Sequence, residues 1–182
     1  MGWQDVRLRR AEITHPAIKR FLDCVSLTHV NGGAILACLA ADDPTVFDHV
    51  NGLQMLGLDH SFVTFLGSPS VVSALPELKI DASRLDSLKL AYMSPLGMEG
   101  ELTHLLLCGG AYRKFDGTIE EARTVTRDFV SAVVDGNYLR AMVAVSHEAW
   151  SEWFFDIAWD HTYLLCNPEA RNFWLLCITD TD

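Results

Sequence analysis

The sequence predicts an α+β fold in which four or five helices pack on a mixed, mostly antiparallel β-sheet. Three observations lead to this prediction. Short apolar runs typical of strands are interleaved with amphipathic stretches of helical period along the 182 residues. Turn residues at hairpin spacing separate neighbouring strand candidates, which favours antiparallel pairing. No repeat or linker interrupts the chain, so a single domain over residues 1–182 is expected.

The first half of the chain predicts strands and helices in alternation. Proline is tolerated in the first turn of a helix, so His15-Pro16 and Asp43-Pro44 indicate two helix starts. Apolar runs indicate the strands. The predicted elements are, in order, a strand around residues 6–8, a helix over 16–30, a strand over 34–39, a helix over 43–55, a strand over 61–66 and a short helix over 69–75.

The second half continues this alternation. Thr118-Ile119-Glu120-Glu121 has the sequence of a capping box, in which Thr118 and Glu121 each satisfy a free amide at the start of a helix. Gly136-Asn137 indicates the end of that helix. The other predicted elements are strands over 88–93, 102–108 and 138–145, a short helix from Ser146 through Phe155, and a final hairpin with strands over 162–166 and 173–178.

The last 37 residues, Ser146 to Asp182, are rich in aromatic residues. They contain four of the five tryptophans and eight of the eighteen aromatic residues, together with seven carboxylates and one arginine. Aromatic side chains bury roughly 150 to 250 Å² each, so this segment can supply a large part of the hydrophobic burial. We therefore expect the C-terminal segment to be part of the core rather than a dispensable tail.

Composition excludes several classes of function. The net charge is −10, and a surface of this sign disfavours nucleic acid, whose binding depends on Lys and Arg. The apolar runs are far shorter than the roughly 20 residues that span a membrane, and the N-terminus has no secretory signal pattern, so a cytoplasmic protein is expected. The five cysteines are odd in number and lack CxxC spacing, which favours reduced, buried thiols over disulfides.

One candidate catalytic cluster is suggested by the tail. Asp156, Asp160 and His161, with Asp180 near the end of the final hairpin, could pair a general acid with a base, with or without a metal ion. The spacing matches no metal motif and the histidines lack HxxxH spacing, so no metal and no cofactor is predicted. Cys108 before two glycines could act as a nucleophile with His104 or His147, but a core thiol at a strand end is favoured.

A second arrangement predicts a contact surface for a protein partner. If the helix that begins at Ser146 continued to residue 160, one acidic stripe would run along it, with tryptophans at its margin. Tryptophan beside carboxylates can anchor a basic partner. The predicted partner-binding residues are Glu148, Glu152, Trp153, Asp156, Trp159 and Asp160.

The tail also resembles a known group of proteins. The segment from Trp153 to Asp160, followed by the hairpin that ends in Cys177-Ile178-Thr179-Asp180-Thr181-Asp182, is similar to the C-terminal ends of small bacterial proteins of the immunity type, which pair with polymorphic toxins. The resemblance covers about 30 residues and transfers no contact position. It implies an acidic, cytoplasmic, single-domain α+β protein that blocks a toxin.

Three functions are therefore compared. A non-catalytic binding protein, such as an immunity or inhibitor protein with a basic protein partner, ranks first because the surface is acidic and no complete catalytic set is present. A small hydrolase that uses the Asp156, Asp160, His161 and Asp180 cluster ranks second. A structural subunit that dimerises through its aromatic tail is the third possibility.

Overall fold

The computed structural model describes residues 3–47, 59–85 and 88–182. Its strands are β1 (Leu8–Ala11), β2 (Gly33–Ala41), β3 (Ala91–Met93), β4 (Met142–Ser146), β5 (His161–Asn167) and β6 (Asn172–Thr179). Its α-helices are α1 (Pro16–Thr28), α2 (Asp59–Leu66), α3 (Pro69–Ala74), α4 (Ala82–Leu85), α5 (Pro95–Cys108) and α6 (Ile119–Val134), and short 3-10 helices lie at Trp3–Asp5, Pro44–Phe47 and Pro76–Leu78.

The six strands form one sheet in the order β1-β2-β6-β5-β4-β3. Each pairing between described strands is antiparallel. The predicted α+β class and the C-terminal hairpin, β5–β6, are confirmed, and the described residues contain six α-helices where four or five were predicted. Since β6 pairs with both β2 and β5, the end of the chain lies in the middle of the sheet.

Both faces of the sheet are covered, which divides the core into two layers. Phe173, Leu175 and Cys177 of β6 face one layer, which also contains residues of α2 and α3. The residues between them in β6, such as Leu176 and Ile178, point to the opposite face and join a second layer with α1, α5 and α6. In that layer Phe21 of α1 stacks on Phe129 of α6 with ring centroids 4.2 Å apart. Burial on both faces explains why the strands are apolar at nearly every position.

The aromatic tail is part of the core, as predicted. Trp150 is 1% exposed and donates from Nε1 to Thr162 Oγ1 over 2.8 Å. Phe173 is fully buried, and its ring lies 5.5 Å from Trp3 and 4.9 Å from Phe65, measured between centroids. These contacts join the end of the chain to its beginning.

Two predicted strands are helical in the structure. Residues 61–66 lie in α2, and residues 102–108 form the second half of α5. Ser94 begins α5 as its N-cap, with its hydroxyl accepting from the amide of Gly97. Leu105, Leu106 and Leu107 form an apolar run at the end of α5, but the buried stripe follows helical spacing through Met98, Leu102, Leu105 and Leu106.

Other predicted boundaries also differ. No helix forms over residues 146–155, because Ser146 ends β4 and the chain then runs through turns to residue 160. β3 and β4 are shorter than predicted, at Ala91–Met93 and Met142–Ser146. The predicted helix over 43–55 begins as a 3-10 turn at Pro44–Phe47, and its remainder lies outside the described residues.

The capping box and the free thiols are confirmed. Glu121 N donates to Thr118 Oγ1, and the Glu121 carboxylate accepts from the Thr118 amide over 2.7 Å, which lowers the pKa of this exposed carboxyl. All five cysteines are free. Cys38, Cys166 and Cys177 are buried, and burial raises the pKa of each thiol. Cys108 is exposed, so its prediction as a core thiol is wrong.

Alanine substitutions at Gly100, inside α5, and at Gly110, two residues after it, should have opposite effects on the free energy of unfolding. A Cβ on Gly110 would lie 2.7 Å from the carbonyl oxygen of Thr28 and would overlap the Asp180 carboxylate, whereas a Cβ on Gly100 meets nothing within 4 Å. We expect Gly110→Ala to lower the free energy of unfolding by about 3 kcal/mol or more. Gly100→Ala, the matched control inside a helix, should raise it by about 0.5 to 1 kcal/mol. Urea denaturation measures both, and an unchanged stability of Gly110→Ala would contradict the close packing around Asp180.

Candidate functional site

A cleft of about 460 Å³ opens at one end of the sheet, on the face that α1, α5 and α6 cover. Four histidines line it, and these come from four separate places in the sequence. Its lining residues are His29, Gly100, Glu101, His104, Leu105, Cys108, Gly109, His147, Ala158, Trp159, His161 and Tyr163.

Secondary structure positions these side chains from four parts of the fold. Glu101, His104 and Cys108 lie at helical spacing on one face of α5. His161 and Tyr163 are two residues apart in β5 and so point to the same face of the sheet. His147 follows β4, whose last residue is paired with Thr162, and this register places His147 opposite His161. His29 directly follows α1.

The buried carboxylate of Asp180 positions two of the cleft walls. It follows β6, is fully buried and accepts from the backbone amides of Asn31 and Ala111 over 2.8 Å each. Asn31 lies two residues after His29, and Ala111 lies three residues after Cys108. One carboxylate therefore fixes the chain after α1 and the chain after α5 relative to the sheet.

A second buried carboxylate, Asp160, positions the third wall. It is 1% exposed, and it accepts from the hydroxyl of Thr179 and from the amide of Ile157, the latter over 3.1 Å. A longer contact of 3.4 Å joins it to the amide of Phe155. These bonds hold the turn that carries Ala158 and Trp159 against the end of β6.

The ring of His29 has one nitrogen without a partner. Thr28 Oγ1 lies within hydrogen-bond distance of the carbonyl oxygens of Cys24 and Val25 and 2.8 Å from His29 Nδ1. Since the hydroxyl has one proton, which it donates to a carbonyl, it accepts from Nδ1–H. Nε2 then carries a lone pair, and within the described part of the chain this buried atom has no hydrogen-bond partner. Burial lowers the pKa of His29, although Asp180 opposes the shift, and the neutral ring is favoured.

His161 is also neutral near pH 7. Burial, then the proximity of His147 and of His29, lowers its pKa to about 4. Its Nδ1 lies 2.9 Å from Nδ1 of His147, so one of these nitrogens donates and the other accepts. The two rings are perpendicular, and the ring of His161 lies parallel to that of Tyr163 at 6.4 Å between centroids.

The wall formed by α5 carries three polar side chains that reach solvent. Glu101 is half-buried, and its Oε2 accepts from the hydroxyl of Tyr163 over 3.3 Å. Desolvation, with a further contribution from Glu101, raises the pKa of the Tyr163 hydroxyl, so it stays protonated as a donor. His104 and Cys108 lie one turn apart farther along the helix. Cys108 Sγ is 3.3 Å from Nε2 of His104, and both side chains are exposed.

Charge and donor geometry limit what the cleft can hold. Among the described residues that line the cleft, Glu101 is the only one with a carboxylate, and none is Lys or Arg. Within the described ranges, no group of three or more His, Cys, Asp or Glu residues is arranged to hold a metal ion.

A helix that crosses a membrane must be both long and apolar. In the same described ranges, no helix has both the length and the apolar character needed to cross a membrane.

Comparisons with known proteins do not assign the chain to a family. No protein-family profile matches the chain, and neither the curated proteins nor the solved structures give a significant match. The geometry of the cleft and its surroundings is therefore the basis for the functional argument.

The structure divides the predicted site residues. Trp159 and His161 line the cleft. Glu148 and Asp156 line a separate depression beside Lys89, whose backbone amide donates to the Glu148 carboxylate over 3.0 Å. The other two predicted contact residues lie on the same irregular segment, with Glu152 exposed and Trp153 half-buried against the core.

Two details of the sequence-based interpretation are wrong. The acidic stripe at helical spacing does not form, because residues 147–160 are not helical. Asp160 is not available as a partner contact, because it is buried and satisfies backbone amides.

The predicted catalytic cluster is also not assembled. Thr179 and Asp180 are consecutive, so their side chains point to opposite faces of the sheet. Asp160 binds Thr179 on one face, whereas Asp180 and His161 lie on the face that α1, α5 and α6 cover. Asp156 is exposed on a turn with a φ of 63°. These four side chains therefore share no cleft in which they could act as acid and base.

The low pKa of His161 predicts an acid-dependent loss of stability. The ordinary pKa of histidine is 6.5 and the folded value is about 4, so between these pH values the unfolded chain binds more protons than the folded one. The free energy of unfolding should therefore fall as the pH drops from about 6.5 to about 4, and His161→Gln should make that slope shallower. Denaturation at several pH values measures the slope, and a His161 NMR titration with a midpoint near 6.5 would contradict the half-buried, neutral ring.

Proposed function

We propose that the protein is a non-catalytic binding protein that contacts a basic protein partner through the cleft and the turn segment 147–160. The observation that carries this proposal is the charge of the cleft, which has a carboxylate and, over the described residues, no Lys or Arg in its lining. The net charge of −10 has the same sign and would steer a basic partner toward this surface.

The cleft and the turn segment 147–160 have side chains that suit a protein interface. Trp159 is half-buried at the cleft, which gives a large apolar contact that is already held in place. On the same segment Phe155 is 47% exposed, and Glu152 and Asp156 are exposed. Buried aromatic anchors surrounded by polar groups are typical of the residues that dominate binding energy.

The arrangement around Cys108 favours binding over covalent catalysis. Its neighbour His104 could accept a thiol proton, but acyl transfer also needs amide donors for the oxyanion. The nearest candidates are engaged, since the amide of Gly109 donates to Leu105 O and the amide of Gly110 donates to Arg113 O. The resemblance of the tail to immunity-type proteins supports a partner that is a toxin.

The free thiols bear on the compartment. All five cysteines are free, which fits the reducing cytoplasm, where we expect the protein to act.

The test is a partner captured from the native cell and then measured as a purified pair. We expect Trp159→Ala to weaken binding at least about tenfold, because it removes an aromatic anchor. The double change Glu152→Lys and Asp156→Lys should slow association, and higher salt should slow association of the wild type. Glu169→Lys, on the turn at the opposite end of β5, is the matched control and should leave affinity unchanged. Equal affinity of Trp159→Ala and wild type would refute this contact surface.

A further inference from the structure

We propose that the cleft is a pocket for one alkylammonium group, such as the end of a lysine side chain, held between the bare Nε2 of His29 and the carboxylate of Glu101. The proposal rests on the proposed function, since in the cell the lysine would belong to the protein partner. It adds the chemistry of the group that enters the cleft.

The lining of the cleft includes a buried hydrogen-bond acceptor. His29 is 1% exposed, its Nδ1–H is used by Thr28, and Nε2 has no partner among the described residues. A buried polar atom without a partner is destabilising, because no hydrogen bond replaces the water that it loses on folding. A ligand with an N–H donor would satisfy this lone pair, whereas a carboxylate or phosphate would face it with another acceptor.

The electrostatics of the cleft favour a cation. Glu101 contributes a carboxylate that accepts a hydrogen bond from Tyr163, which leaves about three of its acceptor positions for a ligand. His161 is neutral near pH 7, because burial lowers its pKa, so it does not repel a positive group. An ammonium group offers three donors, enough for His29, Glu101 and one further acceptor or a water molecule.

The remaining walls suit an unbranched alkyl stem. Leu105, Ala158 and Trp159 present apolar surface, and two glycines of the lining, Gly100 and Gly109, present backbone without side chains. The stem of a lysine packs well on such surface while its charged end reaches polar groups. The volume of about 460 Å³ lies within the usual range for small-ligand sites.

The probe is n-butylammonium chloride, titrated into the full chain at constant ionic strength and followed by NMR of the Trp159 indole and the His29 ring. We expect saturable shifts with n-butylammonium and none with n-butanol or butyrate, which have the same chain length and a neutral or negative end. Glu101→Gln should raise the dissociation constant about tenfold, because it removes the charge of the acceptor. The matched control Glu169→Gln, at the far end of β5, should leave the dissociation constant unchanged.

Three outcomes would overturn the pocket. Equal shifts from n-butanol would indicate an apolar cavity without charge selection. Zn²⁺ that shifts the histidine resonances, when n-butylammonium does not, would indicate a metal site instead. An unchanged dissociation constant in Glu101→Gln would show that the carboxylate does not contribute to binding.

The outcome for the pocket is separable from the outcome for the proposed function. If n-butylammonium fails to bind while Trp159→Ala still weakens the protein partner, the binding function stands and the lysine pocket is wrong. If n-butylammonium binds as expected while Trp159→Ala leaves partner affinity unchanged, the pocket stands and the proposed contact surface is wrong.

Discussion

The Asp180 carboxylate connects three parts of the chain that are distant in sequence. It lies at the end of the central strand β6 and binds the amides of Asn31 and Ala111, while Gly110 packs directly on it. Buried carboxylates are stable only when their oxygens are satisfied, so this geometry restricts both loops to one arrangement. The positions of His29 and Cys108, which line the cleft, follow from it.

Asp160 plays the corresponding part on the other face of the sheet, where it holds the turn that carries Trp159. The cleft therefore forms where two turn segments and the end of α5 are tied to neighbouring strands. Because burial lowers the pKa of His29 and of His161, both rings stay neutral near pH 7, and Glu101 supplies the charge of the lining. A cleft with a carboxylate and no described Lys or Arg in its lining, on an acidic protein, supports the proposed recognition of a basic group.

Local patterns predicted the elements that depend on local chemistry. The capping box at Thr118, the hairpin after His161 and the burial of the aromatic tail are confirmed because their signals are short-range. The strand predicted over 102–108 is wrong because Gly97 and Gly100 lower the helical propensity of α5 and the run at its end hides the helical period. The cleft was missed because His147 and His161 meet through the register of β4 and β5, and the chain after His29 is held by a bond from Asn31 to the distant Asp180, neither of which a local pattern shows.

Amide hydrogen exchange of Asn31 and Ala111 tests this account most directly, because both amides donate to one buried carboxylate. In the wild type both should be protected like the amides of β6, and in Asp180→Asn both should exchange much faster while the amides of α6 keep their protection. Rapid exchange of both amides in the wild type, or unchanged protection in Asp180→Asn, would contradict the claim that Asp180 positions the walls of the cleft.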